Sequence, residues 1–277
     1  MTEETAPASG ELHQVKTTWS PYHRISAGTR ARLRGLWNGL GFNAGTASML
    51  RYEVDMLLLR MRCALSAAHR HQLRNLAAAR GVRVHLGCGN ALFPGWLNVD
   101  CYPPTKQPGM DILTIDVRRG LPLADGSVAA LFTEHFLEHL PAATIRQVIL
   151  PEIRRVLEPG GHLHIGVPDG EYFINQYVAY REGRTDPLFE QHRKGATPMT
   201  MLNEIAHGFG HHFAYDFATL GAELEAAGFH NIHRVLPGGS QIEAFQGKDR
   251  SDDWRRAMTL YVEARVPVEA VEQISQA

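Results

Sequence analysis

Hydrophobic positions along the chain change period once, near residue 81. From Ser26 to Arg80 the spacing is helical. Leu33, Leu36, Trp37 and Leu40 recur on one face before Gly41, and Leu50, Val54, Leu57, Leu58, Met61 and Leu65 mark a second, longer helix. From Gly81 the pattern becomes strand, turn, strand, helix. Val82–Leu86 alternates into glycines, Trp96–Asp100 and Ile112–Asp116 are short runs that each end in an acid, and Val128–Phe132 is a continuous apolar run. Ile145, Val148, Ile149, Ile153, Val156 and Leu157 form a helical face, with Pro151 predicting a kink or restart. Pro159-Gly160-Gly161 ends that helix and His162–Val167 is the next strand. A helix through Tyr172, Ile174 and Tyr177 follows, then a polar stretch from Arg181 to Pro198 that suits a substrate loop. A last helix spans Phe217 to Leu224, and strands near 232–235 and 259–264 close the sheet. The expected fold is α/β: a doubly wound seven-stranded sheet, last strand antiparallel, with an N-terminal helical extension. The divisions are a loose segment at 1–25, the extension at 26–80, the sheet domain at 81–267 and a tail at 268–277.

Composition narrows the class. The chain has 277 residues, 44% of them hydrophobic, and a formal net charge of -1, so no general field attracts nucleic acid or a membrane. Met1 to Glu11 lacks the apolar run of a signal peptide, and Met56–Leu59, the longest apolar patch, is far too short to span a bilayer. Cys63, Cys88 and Cys101 follow no metal spacing and leave one thiol over, which points to a reducing, cytoplasmic setting. Nine arginines between Arg30 and Arg80 face only Glu53 and Asp55; they read as a solvated helical face or as a surface for an anionic substrate.

The candidate chemistry gathers at the ends of the first strands. Gly87-Cys88-Gly89 lets the backbone pass close to a ligand. Asp100, at the tip of the second strand, can accept both hydroxyls of a ribose, and Asp116, at the third, can accept from an adenine amino group. These are neighbouring carboxyl ends, where open α/β sheets bind ligands. A dinucleotide fingerprint does not fit, because Leu92 holds the third glycine position and Asp100 comes too early.

The stretch His85-Leu86-Gly87-Cys88-Gly89-Asn90 resembles the first motif of class I, Rossmann-like S-adenosylmethionine-dependent methyltransferases. So do Leu121–Val128 with Glu134–Leu140, Arg155–Gly161, and Gly210–Asp216 followed by Ala227-Gly228-Phe229. The resemblance spans Val82 to Val266 and is closest to small methyltransferases with a Leu-Gly-Cys-Gly loop. It implies S-adenosylmethionine as cofactor, held by His85, Gly87, Cys88, Gly89, Asp100, Asp116, Val117 and Glu134. Two departures stand out: His85 occupies a position that usually carries an acid, and Asn90–Gly95 is too short for the usual helix, leaving Phe93 and Trp96 to cover the gap.

The reaction expected is methyl transfer to a small-molecule acceptor, at oxygen, because no Asn/Asp-Pro-Pro-Tyr type signature for amines follows the fourth strand. A base is needed only for a poorly ionised hydroxyl, and His211 and His135 are the candidates. Glu138 and His139 read as bracing for the following helix. No metal is expected, since His207, His211, His212 and Asp216 form no ligand pattern. Two other readings stay open: an RNA or protein methyltransferase docking through the arginine-rich helices, and a non-catalytic binding module. A homo-oligomer is compatible with all three.

Overall fold

The computed structural model describes residue 39 and residues 44–102, 107–184 and 186–268. The expected loose segment at 1–25, nearly all of the first helix and the tail past residue 268 lie outside the described residues.

Seven strands form one sheet in the order β3-β2-β1-β4-β5-β7-β6. They are β1 (Val82–Leu86), β2 (Leu97–Asp100), β3 (Asp111–Thr114), β4 (Val128–Glu134), β5 (Leu157–Pro168), β6 (His230–Val235) and β7 (Thr259–Arg265). β1 to β5 run parallel to one another, while β7 lies antiparallel between β5 and β6. The expected fold is therefore the observed one.

Alternation along the strands gives the sheet two unlike faces. Val84, Leu86, Leu131, Leu163 and Val262 point into the main core, which is closed by a helix through Ile145, Ile149 and Ile153 and another through Leu220 and Leu224. The register sets His85, Phe132, His164 and Glu263 side by side on the opposite face. No helix joins β1 to β2. Phe93 and Trp96 from that connection pack with Phe132 and Phe245 instead. The fully buried Asn98 holds the connection in place: its side chain accepts from the Phe93 amide at 2.8 Å and donates to the carbonyls of Phe93, Trp96 and Asp111. One amide side chain thus supplies partners that a crossover helix would otherwise make internally.

The helix below β4 is continuous but not uniform. Ala142–Thr144 leads into a π-helical turn at Ile145–Ile149, then Leu150–Val156 resumes α geometry with Pro151 in its first turn. This is the restart that Pro151 predicts, because proline has no amide for the preceding turn. Past β5 the structure differs from expectation. The polar stretch at 181–198 holds a helix of its own, Pro187–Arg193 capped by Asp186, and Pro198–His207 begins at its end. Phe189 and Met201 give these helices a core of their own with Phe173 of the Gly170–Arg181 helix. A few buried anchors outweigh the polar composition.

The N-terminal extension supplies α1 (Ala44–Leu65) and α2 (Ala67–Ala78). Both dock at the β3 edge, where Cys63 and Gln72 donate to the carbonyls of Thr114 and Ile112. This covers backbone that an edge strand would leave unpaired. The face of α1 turned inward is not its most apolar one. Met56 and Leu59 are buried, whereas Leu50, Val54, Leu57, Leu58, Met61 and Leu65 are exposed among the described residues. Polar links fix that orientation: Tyr102 donates to Asp55 at 3.2 Å, Arg118 pairs with Glu53 and Arg60 lies 3.5 Å from Asp116. The extension thus sits beside the tips of β2 and β3. No described helix is long and apolar enough to cross a membrane.

Candidate active site

Beyond Leu86 the chain turns sharply, with Gly87 at φ 70° and Gly89 at φ 50°. The amides of Gly87 and Cys88 donate to the Val99 carbonyl at 2.9 and 3.2 Å, which stitches the loop to β2. The Gly89 amide donates to Asp100 Oδ2 at 2.9 Å, and the Tyr102 amide donates to Oδ1 at 2.7 Å. The glycines serve different ends. A Cβ on Gly87 would stand 2.6 Å from Cβ of Phe136, so the residue after His135 dictates that glycine, whereas a Cβ on Gly89 would meet nothing within 4 Å. Gly89 is the place where the loop leaves backbone open to a ligand. Cys88 is buried, and burial together with the Asp100 charge pushes its thiol far up, so it contributes backbone rather than a nucleophile.

Asp116 lies two residues past the end of β3 and caps the turn Val117–Arg119. Its carboxylate, only 2% exposed, accepts from the Arg118 guanidinium at 2.9 and 3.0 Å. It also lines a cavity of about 560 Å³ with Leu59, Arg60, Cys63 and Leu121, to which no other expected cofactor residue contributes. Val117 is buried in the main core. Glu134, at the β4 tip, accepts from the Tyr261 hydroxyl at 2.6 Å and from Arg250 Nε at 3.0 Å. His85 does not reach the surface. It is 3% exposed and stacked on Phe93 at 4.1 Å, and burial pulls its imidazole down to about 4. Gly87, Cys88, Gly89 and Asp100 thus come together at one end of the sheet, with Asp116 and Val117 on the adjacent strand end.

After β4, His135 takes a left-handed backbone, φ 52°, unusual for a residue other than glycine. Its Nδ1 lies 3.1 Å from Glu138 Oε1 and its Nε2 lies 3.0 Å from Thr259 Oγ1. The Gly208–His212 turn folds onto this segment through a hydrogen bond from the His212 amide to the Glu138 carbonyl, 2.7 Å. His211 is thereby set against His139, ring centroids 4.7 Å apart. Its Nδ1 lies 2.8 Å from the Ile205 carbonyl, which only accepts, so Nδ1 carries the proton and Nε2 keeps its lone pair. Glu138, His139 and Phe136 therefore belong to the site although the sequence reading gave them no part in it. The repeat of Glu-His at 134–135 and 138–139 was the available signal.

Residues 84–165 match the protein family described as a methyltransferase domain. That segment runs from β1 into β5 and carries the glycine loop, Asp100, Asp116 and the Glu-His repeat. It supports methyl transfer as the activity class. Against curated proteins the sequence finds no match. Among solved structures the chain is similar to a SAM-dependent methyltransferase from Archaeoglobus fulgidus, at 15% identity and a TM-score of 0.40 over 75% of this chain and 94% of that one. A methyltransferase from Mesorhizobium loti is 19% identical, TM-score 0.39, over 73% and 99%. Human N-acetylserotonin methyltransferase, solved with SAM, is 15% identical, TM-score 0.42, over 83% and 62%. Similarity at this level bears on no single residue of the site.

Proposed function

We propose that the chain transfers a methyl group from S-adenosylmethionine to an oxygen of a small-molecule acceptor. The observation that carries this reading is the link from the Gly89 amide to the Asp100 carboxylate, beside a glycine whose Cβ position is open. A backbone that can be approached and a carboxylate at the neighbouring strand tip fit the sugar of a nucleoside-type cofactor. Asp100 is already oriented by two amides, and its remaining lone pairs are available for ribose hydroxyls. In this reading Asp116 and Val117, past the end of the neighbouring strand β3, are given the adenine side. S-adenosylmethionine brings an activated methyl on its sulfonium, so the protein's part is alignment and exclusion of water.

The acceptor side is assigned to His211, whose Nε2 lone pair is free among the described contacts. His135, with both ring nitrogens engaged, orients Glu138 in this reading. Three described arginines of the extension have partners within the chain. Arg60 pairs with Asp116, while Arg70 and Arg80 donate to carbonyls of their own region. That favours a small acceptor over a docked RNA or protein. Three free thiols suit a reducing, cytoplasmic compartment.

The test is release of S-adenosylhomocysteine by the full chain over a panel of hydroxyl-bearing metabolites. His211→Ala should lower turnover by about 10²- to 10⁴-fold with cofactor affinity nearly unchanged. No turnover with any hydroxyl acceptor, against turnover with amines, would overturn the oxygen assignment.

A further inference from the structure

Glu138, His139 and His211 each offer a ligand atom, and those three atoms lie within 4.8 Å of one another. Two imidazoles and a carboxylate at that separation are a set that binds first-row divalent metals, with positions left over for water or a substrate oxygen. We propose that these three residues form a zinc-class divalent metal site, on the side given above to the acceptor.

Three features separate this cluster from a chance meeting of polar side chains. Glu138 is 1% exposed, and its Oε2 has no hydrogen-bond partner among the described residues. A buried carboxylate oxygen left unpaired costs about 1–3 kcal/mol or more, so a fold that keeps one there needs something to satisfy it. A cation does. The second feature is the support behind the ligands. Glu138 Oε1 is held by His135, itself bonded to Thr259, and His211 is held by the Ile205 carbonyl with Nε2 left as the donor atom. Outer partners of this kind fix tautomer and ring orientation in metal sites. The third is how the cluster is assembled: the His212 amide bonds the Glu138 carbonyl, drawing a turn 70 residues away onto the end of β4.

The other groups near the cluster do not compete for the role. His135 has both ring nitrogens engaged, and His207 and His212 are not among the residues whose ligand atoms cluster here. Phe136, next to His135, packs against Gly87, so the cluster adjoins the cofactor loop. An ion there would bind the acceptor oxygen and lower its pKa, a service otherwise asked of His211 directly. The location rests on the methyltransferase reading, but the ion site itself does not. It also departs from the sequence expectation of no metal, because Glu138 and His211 meet only in the fold.

The experiment is calorimetric titration of the metal-stripped full chain with Zn²⁺ alone, supported by visible absorption with Co²⁺. One ion per chain should bind. His139→Ala and His211→Ala should each weaken binding by more than about tenfold, as should Glu138→Gln, while His207→Ala leaves it unchanged. Thermal melts of the same preparations keep folding separate: Zn²⁺ should raise the melting temperature of the parent chain and of His207→Ala, not of the three ligand variants. No stoichiometric Zn²⁺ binding, or binding that survives all three variants, overturns the proposal. Cofactor titration reports on the methyltransferase reading separately, so either can fail alone.

Discussion

The ring of Phe136 occupies the space where Gly87 would carry a side chain, leaving a built Cβ 2.6 Å from Phe136 Cβ. Gly89, two residues on, has open space at the same position. Both have positive φ, so alanine is strained at either by about 1–2 kcal/mol. Gly87→Ala adds the steric clash and should cost at least about 3 kcal/mol in urea unfolding. Gly89→Ala should cost only the strain while weakening S-adenosylmethionine binding. Phe136→Ala in the Gly87→Ala background should recover part of the loss. Equal destabilisation by the two glycine variants would contradict this division.

Two histidines in one row of the sheet should respond to pH in opposite ways. His85 is buried neutral with its pKa brought down to about 4 by burial, and its Nδ1 has no partner among the described residues. The unfolded imidazole titrates near 6.5, so this stability is present above 6.5 and lost as pH falls toward 4, about 3 kcal/mol in all. His85→Phe should flatten that acid limb and hold or raise stability at pH 5. His164 is fully buried. Burial opposes its charge, but Asp249 at 2.8 Å and Glu263 at 3.0 Å prevail and raise its pKa. Its contribution is present below about 6.5 and lost as pH rises through the raised folded value. Melting curves across pH for the parent and His85→Phe decide the matter. An acid limb unchanged by the substitution would count against it.

Arg118 joins the extension to the β3 end by holding Glu53 and Asp116 at once. The partners are unequal, since Glu53 is 55% exposed and Asp116 only 2%. Glu53→Ala should cost less than about 1 kcal/mol, as exposed pairs do. Arg118→Ala leaves a buried carboxylate with Arg60 and backbone alone and should cost about 2 kcal/mol. Denaturant titrations that rank the two variants the other way would show that α1 docks through its apolar contacts instead.

The parts of this structure that sequence made legible are those written in local spacing. Gly87, Gly89 and Asp100 sit a few residues apart at adjoining strand ends, so the turn and the acid could be placed from the letters. The strand run from Val82 to Val167 was readable for the same reason. His85 was misleading because a position relative to the glycines does not say which way an alternating strand points it; the register turns it under Phe93. The 181–198 stretch looked like a loop because Phe189 is a lone anchor whose partners, Phe173 and Met201, come from other helices. Glu138 and His211 are far apart in sequence, and only the Gly208–His212 turn brings them together.

In the proposed reaction Asp100 is the ribose-binding carboxylate beside an open glycine loop. Calorimetric titration of the full chain with S-adenosylmethionine tests it directly. Binding should be saturable, one cofactor per chain, and weakened at least about tenfold in Asp100→Ala. Asp100 also ties the amides of Gly89 and Tyr102, so Asp100→Asn, which keeps one oxygen acceptor, should fall between the two. Affinity unchanged in a cooperatively folded Asp100→Ala, or no binding by the parent chain, would rule out this role for Asp100.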